Sequence, residues 1–469
     1  MAEEIIITYD REKFEKGELT AKDLNKLIQA FEEDIQGNIT TCKSYYLGEQ
    51  GGEDTDSNAV TCNHAKDIAD TASGYFLGNP ISYRAKDGKD IEELTQALEY
   101  ADVDAVDQDN ALMLSIAGRS YEYWYADEGE AELAVQALDP EYCFIVYDTT
   151  IVHKKLFGVY YYYKIDDASD SEDPNTYVLT VTDKTITNWV LNGDVEVSKE
   201  EQSHNIGLIP MLEVRNNKFC VGDFQQQIEL IDAYNAMTGD RVKDKEQFID
   251  SILVLYGSIM GDTETETDEA MENLKKRKLL ELDSDSRAEY LTRTLDEGGM
   301  EVLRNALKED IYTFSHVPNL TDKNFAGNSS GVAMEYKLLG LEMLTKTKER
   351  WYRKMLHERL HILQAFYGKK NQAIDPHNIE ITFSRGLPKN VAELAGIVTA
   401  LSGIVSRKTL IAQLPFVQNP DDEMEAVQKE NEESIKMQQE LFAAQGGGND
   451  MPEELEEPEE RPEEELEDE

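Results

Sequence analysis

Three stretches decide how this chain is read: DFQQQIELIDAYNAMTGDRVKDKEQFIDSILVLY (223–256), VPNLTDKNFAGNSS (317–330) and GVAMEYKLLGLEMLTKTKERWYRKMLHERLHILQAFY (331–367). In the first, Phe224, Ile228, Ile231, Tyr234, Met237 and Val242 recur at roughly helical spacing, and Gly239 is the one weak point before Gly257. It reads as a single helix, about 50 Å long at 1.5 Å per residue, which is more than a small domain needs. Residues 257–297 read as a small charged module and 298–316 as helix again. Residues 317–330 read as a polar loop, longer than most helix–helix connections, and such loops often carry function. In the helix expected over 331–367, Leu356, Leu360, Leu363 and Tyr367 form one stripe, with Lys346, Lys348, Arg353 and Glu358 on the reverse side. A run of long helices without a catalytic signature suggests a part that spans a distance.

Outward from this run, the N-terminal side changes character. Leu24, Leu27, Ile28, Phe31 and Ile35 step helically through 20–47. Residues 63–77 read as a second helix stopped by Gly78-Asn79-Pro80, and 91–120 as helix with breaks. From Tyr121 the period becomes two: Tyr121, Tyr123 and Tyr125 alternate with Glu122 and Trp124. Strands continue over 142–147, 157–164, 177–182 and 186–191, with Asn192-Gly193 as a hairpin turn. Residues 1–215 are therefore expected to be α+β with a mainly antiparallel sheet. On the C-terminal side, 378–384 alternates as a strand. Pro388 opens a helix with Val391, Leu394, Val398 and Leu401, a short helix follows Ser406, and a solvated charged helix starts at Asn419-Pro420.

The charge balance excludes one class of function. The net charge is −49; residues 446–469 hold 13 acids and one Arg, a net of −12, so the rest of the chain carries −37. So acidic a body is a poor choice for gripping nucleic acid by neutralising phosphates. A field of one sign lets a protein surround DNA without holding it, although acid also serves plain solubility. Beyond Gly446-Gly447-Gly448 the Glu/Pro tail is expected to be disordered. The four cysteines (Cys42, Cys62, Cys143, Cys220) are scattered and form no C-x-x-C, which points to a reduced, cytoplasmic setting. The N-terminus lacks the basic and apolar regions of a signal peptide, and no stretch is long and apolar enough to cross a membrane.

One enzyme motif occurs. His357-Glu358-Arg359-Leu360-His361 matches H-E-x-x-H on a helix, the pattern of a zinc metallopeptidase in which two His bind metal and Glu acts as base. Against it, Leu356 and Leu360 carry the buried face past both histidines, and the next helix offers no third ligand, since Glu380 lies in a strand-like run. Ordinary surface histidines are the expectation. No phosphate-binding G-x-x-x-x-G-K-[ST], nucleophile elbow or dinucleotide fingerprint is present; Gly88-Lys89 and Gly368-Lys369 lack the rest of the motif. No cofactor or metal is expected. Lys275-Lys276-Arg277-Lys278 is the one dense basic cluster. It reads as favourable charge at a helix C-terminus or as a contact for nucleic acid or an acidic partner.

An ordered set of short motifs carries a family resemblance. It comprises Gly74-Tyr75-Phe76-Leu77-Gly78-Asn79-Pro80-Ile81, Asp139-Pro140-Glu141 before Phe144-Ile145-Val146-Tyr147-Asp148, and Ile209-Pro210 with Arg215-Asn216-Asn217. Ile231-Asp232-Ala233-Tyr234-Asn235, Ser330-Gly331-Val332-Ala333 before Tyr336-Lys337-Leu338-Leu339-Gly340-Leu341, and Ser406-Arg407-Lys408-Thr409-Leu410 before Leu414-Pro415 follow. The chain resembles, over roughly 20–430, the portal proteins of tailed bacteriophages, the head-to-tail connectors of the long-tailed, Gram-positive type. The resemblance implies an α+β, mainly helical protein of wing, stem, clip and crown parts, assembled as a ring of about twelve copies around a DNA channel. It implies a wing over 1–221, stem helices over 222–256 and 298–316, and a clip over 257–297. A tunnel loop over 317–330, a long wing helix and strand over 331–386, a crown over 387–445 and the acidic tail over 446–469 complete it.

By the same resemblance the protein is a virion component of one capsid vertex, assembled in the bacterial host cytoplasm. It would pass double-stranded DNA during packaging, retention and ejection, beside a separate ATPase and without catalysis of its own. Its partners would be copies of itself, the terminase, the head-tail adaptor, and the major capsid and scaffolding proteins. Asn319, Thr321, Lys323, Asn324, Phe325 and Asn328 would face DNA in the tunnel loop, and Lys275, Lys276, Arg277 and Lys278 would meet the terminase or adaptor at the clip. A zinc metallopeptidase on His357, Glu358 and His361, or a non-catalytic acidic adaptor, is the alternative.

Overall fold

The computed structural model describes residues 6–50, 60–126, 132–164, 174–249, 252–256, 268, 272, 287–291, 297–320, 331–370, 374–386, 396, 398–411, 414, 417 and 420–445. It divides into two compact units, Met1–Leu387 and Pro388–Glu469.

The first unit begins with β1 (Thr8–Tyr9) and α1 (Arg11–Glu15), then α2 (Ala21–Phe31), a π-helical turn (Glu32–Gln36) and α3 (Gly37–Leu47). Thr20 starts α2 with a reciprocal capping box: its side chain accepts from the Asp23 N–H and the Asp23 carboxylate accepts from the Thr20 N–H. α4 (His64–Leu77), β2 (Ser82–Ala85), α5 (Glu92–Tyr100) and α6 (Val103–Ala117) follow. The strands come next: β3 (Arg119–Tyr125), β4 (Ala134–Leu138), β5 (Cys143–Asp148), β6 (Lys155–Lys164), β7 (Asn175–Val181), β8 (Thr185–Asn192), β9 (Val195–Ser203) and β10 (Met211–Arg215). The hairpin joining β8 to β9 turns at Gly193-Asp194, one residue later than expected; Gly193 takes the left-handed φ of 57° that such a tight turn needs.

A six-stranded sheet runs in the order β1-β5-β6-β7-β8-β9, antiparallel except for the parallel β1–β5 pair. The apolar stripe of α2 (Leu24, Leu27, Ile28, Phe31) packs with Phe144, Phe157, Val159, Tyr161, Val178 and Trp189, and Phe31 stacks on Phe144 at 4.8 Å. Burying each such side chain contributes about 1.5–3 kcal/mol. A three-stranded sheet, β10-β3-β4, supplies Trp124, Val135, Leu212 and Val214 to a second core.

The helical run follows: α7 (Ile228–Ile249), β11 (Ile252–Tyr256), β12 (Arg287–Leu291), α8 (Glu297–Ser315) and α9 (Gly331–Tyr367). The single helix expected over 223–256 is therefore corrected. It spans 22 residues, about 33 Å, and gives way to a strand paired antiparallel with β12. The reason is local: Ile252-Leu253-Val254-Leu255-Tyr256 is an unbroken apolar run with β-branched and aromatic residues, which a sheet accommodates better than an exposed helix end. α9 is 37 residues long, about 55 Å. Leu356, Leu360 and Leu363 cover the β10-β3-β4 sheet side, while Leu338 and Leu341 join Ile68, Phe224, Ile231 and Ile311 in a third cluster. β13 (Ile379–Thr382) pairs antiparallel with β2, so the strand expected at 378–384 is present and shorter.

In the second unit α10 (Arg407–Ile411) precedes α11 (Pro420–Gln445), whose described surface is exposed and charged. The expected helix opening at Pro388 lies mostly outside the described residues, as does the acidic tail 446–469.

Candidate functional site

The helix α9 follows residues 317–330 directly, so whatever holds α9 sets where that connection ends. Three clusters of charged groups hold it. Toward the N-terminal half, Arg385 donates through Nε and Nη2 to the two Glu342 carboxylate oxygens at 2.9 and 3.1 Å, and through Nη2 to Glu349 at 2.9 Å. The Tyr75 hydroxyl donates to Glu342 at 2.8 Å. Burial pushes the Glu342 carboxyl up, but these donors outweigh it and hold the group below its ordinary range.

In the middle, Lys348 lies inside the core. Its ammonium pairs with Asp223 and donates to Ser115 Oγ at 2.8 Å, and Asn216 Nδ2 donates to Asp223 at 3.0 Å. This corrects the expectation that Lys348 lies on the reverse, solvent side of the helix. Asp223, just ahead of α7, turns a solvent-facing lysine into a cross-link between α9, α6 and the entry to α7.

Farther along, Arg359 is fully buried. It donates to Asp107 at 2.6 Å and to Glu122 at 2.6 and 3.1 Å. The Tyr352 hydroxyl donates to Asp107 at 2.6 Å, and Trp124 Nε1 and Asn110 Nδ2 donate to Glu122 at 2.9 and 3.2 Å. Every carboxylate here has more than one donor, which is what makes buried ionised groups tolerable.

Sequence reasoning missed all three clusters. A signal was available: stepping backward from Leu363 and Leu356 at helical spacing passes through Arg359, Tyr352, Lys348, Thr345 and Leu341, all buried.

The opposite side of these helices is different. Val302, Leu303 and Phe314 on α8, and Tyr336, Leu339 and Met343 on α9, are exposed, Val302 by 71% and Tyr336 by 75%. Tyr336, Leu339 and Met343 are spaced as one stripe (i, i+3, i+7). Leu320, between the helices, is exposed too. Exposed apolar stripes of this kind are common on association faces.

The expected loop residues cannot be brought to this geometry. Asn319 is described and half-buried, whereas Thr321, Lys323, Asn324, Phe325 and Asn328 lie outside the described residues, as do Lys275, Lys276, Arg277 and Lys278. The H-E-x-x-H residues are all described. Glu358 is engaged by Lys155, and the Arg359 between them belongs to the buried cluster. The His361 ring lies 5.7 Å from that of His377, and partial burial and nearby cations push the His357 imidazole below its ordinary value. Among the described residues no group of three or more His, Cys, Asp or Glu is arranged to hold a metal.

The family described as "Phage portal protein, SPP1 Gp6-like" matches residues 24–437. The chain belongs to that family. It is 24% identical over 435 residues to the portal protein of Bacillus phage SPP1, covering 88% of this chain and 84% of that one. It is 22% identical over 406 residues to the portal protein of Clostridium phage phiCD119, covering 81% of this chain and 86% of that one. A solved structure described as the neck of a native GTA particle computed with C12 symmetry aligns over 81% of this chain and 93% of its own, at 8% identity and a TM-score of 0.48. The protein is thus a phage portal, a head-to-tail connector of the virion, and its family is a structural one. Among the described residues no helix is long and apolar enough to cross a membrane.

Proposed function

We propose that copies of this portal chain close into a ring of about twelve around a channel for double-stranded DNA at one capsid vertex, without catalysis of their own. The observation that carries this is the pairing of opposite faces on one helix. One side of α9 is fixed by Glu342, Lys348 and Arg359, and the other presents Tyr336, Leu339 and Met343 exposed. A rigid helix with an apolar outer stripe suits packing against an identical neighbour. The body charge of −37 lets DNA slide through such a ring, because like charges oppose sticking.

In this reading 222–256 and 298–316, with α7 and α8, form the stem, 257–297 the clip, 317–330 the tunnel loop, 331–386 the wing helix and strand, and 387–445 the crown. Asn319, Thr321, Lys323, Asn324, Phe325 and Asn328 face the DNA. Lys275, Lys276, Arg277 and Lys278 meet the terminase and then the head-tail adaptor; charge reversal there that left both contacts unchanged would remove that role. Assembly takes place in the host cytoplasm with scaffolding and major capsid proteins. Mass in solution and negative-stain imaging of the purified chain test the core of the proposal. Rings with a central hole are expected, and a monomer at micromolar concentration would overturn it.

A further inference from the structure

A second candidate association surface lies where the β5–β6 connection of the six-stranded sheet meets β10 and the C-terminal half of α9, beyond the Tyr336–Met343 stripe. The connection between β5 and β6 carries Ile151 and Val152, 98% and 72% exposed, at its tip. Behind them is a groove of about 490 Å³ lined by His153, Lys154, Lys155, Arg215, Trp351 and Lys354, with Glu213 and Glu358. Arg215 is matched by Glu213 and Lys155 by Glu358. Lys154 and Lys354 are exposed and make no ion pair among the described residues; the Lys354 ammonium lies 5.7 Å from the Trp351 ring centre. The groove is thus a cationic, partly aromatic recess on a chain of net charge −49.

The far edge of the six-stranded sheet carries the complement. β9 is the terminal strand, and all nine of its residues are exposed. Its sequence, VEVSKEEQS, offers Glu196, Glu200 and Glu201, which make no ion pair among the described residues, together with exposed Val195 and Val197. Half of the backbone groups of such an edge face outward, unpaired by β8.

We propose that the cationic groove and the Ile151–Val152 tip of one copy receive the β8–β9 edge of a second copy, as a head-to-tail contact repeated around the assembly. The charges are complementary and each side adds exposed aliphatic residues. The two surfaces lie at different places on the protomer, which is the condition for a heterologous contact in which every copy both gives and receives. This rests on the ring reading and names a contact within it.

The test uses the full chain and native mass measurement. Wild type must first form rings; if it does not, the ring reading fails before this one is tried. Given wild-type rings, Lys154→Glu with Lys354→Glu, and separately Glu196→Lys with Glu200→Lys and Glu201→Lys, are each expected to lower the ring fraction roughly tenfold or more at equal protein concentration. Combining both sets restores rings, which separates the contact from misfolding. Rings at wild-type yield in either single-sided variant overturn the proposal, and so does failure of the combined variant to recover.

Discussion

Lys348 and Asp223 form an ion pair sealed in the core, with 1% and 0% of their side chains exposed and 125 positions between them in sequence. Lys348→Met leaves the Asp223 carboxylate buried with only Asn216 as a side-chain donor. It is expected to destabilise the protomer by about 3–5 kcal/mol, because an uncompensated buried charge costs far more than the pair is worth. Adding Asp223→Asn removes that charge and recovers part of the loss. Urea unfolding of the single and double variants checks this; a K348M loss no larger than that of an exposed lysine would mean the pair does not hold α9.

The acid side of the stability curve has an identifiable contributor in Glu213. Burial pushes its carboxyl up, but Arg215, Arg119 and the Tyr147 hydroxyl outweigh that and hold it below its ordinary 4.5. A depressed carboxylate contributes stability above its unfolded value and loses it as pH falls through the folded one. Glu213→Gln is therefore expected to cost about 1–3 kcal/mol at neutral pH, with the gap to wild type closing below pH ~4.5. Thermal unfolding across pH 3–8 reads this directly, and a gap that widens toward acid would reverse the assignment.

Gly118 sits at the C-cap of α6 with φ 73°, where an added Cβ would lie 2.1 Å from the Cys220 carbonyl oxygen. Gly118→Ala meets both penalties together: the left-handed backbone costs about 1 kcal/mol or more. The backbone of 220–222 must also move away. Since Asp223 leads into α7, the displacement reaches the Lys348 pair. A lower melting temperature and added protease cleavage near 216–223 are expected; wild-type behaviour on both would show that the turn has room to adjust.

Much of this architecture can be read from residue spacing. The helical steps from Leu24 to Ile35, the period-two run from Tyr121, and the Leu356–Tyr367 stripe each express local geometry that neighbours in sequence impose. What escaped has a different origin. Lys348 and Arg359 look like solvent-face cations until Asp223, Asp107 and Glu122 arrive from 125, 252 and 237 positions away, and no window of periodicity contains such partners. Ile252–Tyr256 escaped because a short apolar run is compatible with a buried helix or a strand, and the β12 partner that decides is 31 or more positions on. The expected loop and clip residues rest on family resemblance, which assigns positions without supplying their geometry.

The connection over 317–330 can be altered without disturbing what pins its neighbour. Glu342, Lys348 and Arg359 all lie beyond it, and their partners Arg385, Asp223, Asp107 and Glu122 come from other elements. Replacing residues 319–328 with a shorter Gly/Ser linker should therefore leave the protomer folded and its rings intact. It removes Lys323 and Phe325, the side chains proposed to lie nearest DNA, so the expected defect is in packaging or retention of the genome. Ring formation is read by negative stain, and packaged DNA by nuclease protection in assembled particles. A ring-competent variant that packages and retains DNA like wild type would refute a working role for this connection, and with it the assignment of 317–330 as the channel's constriction.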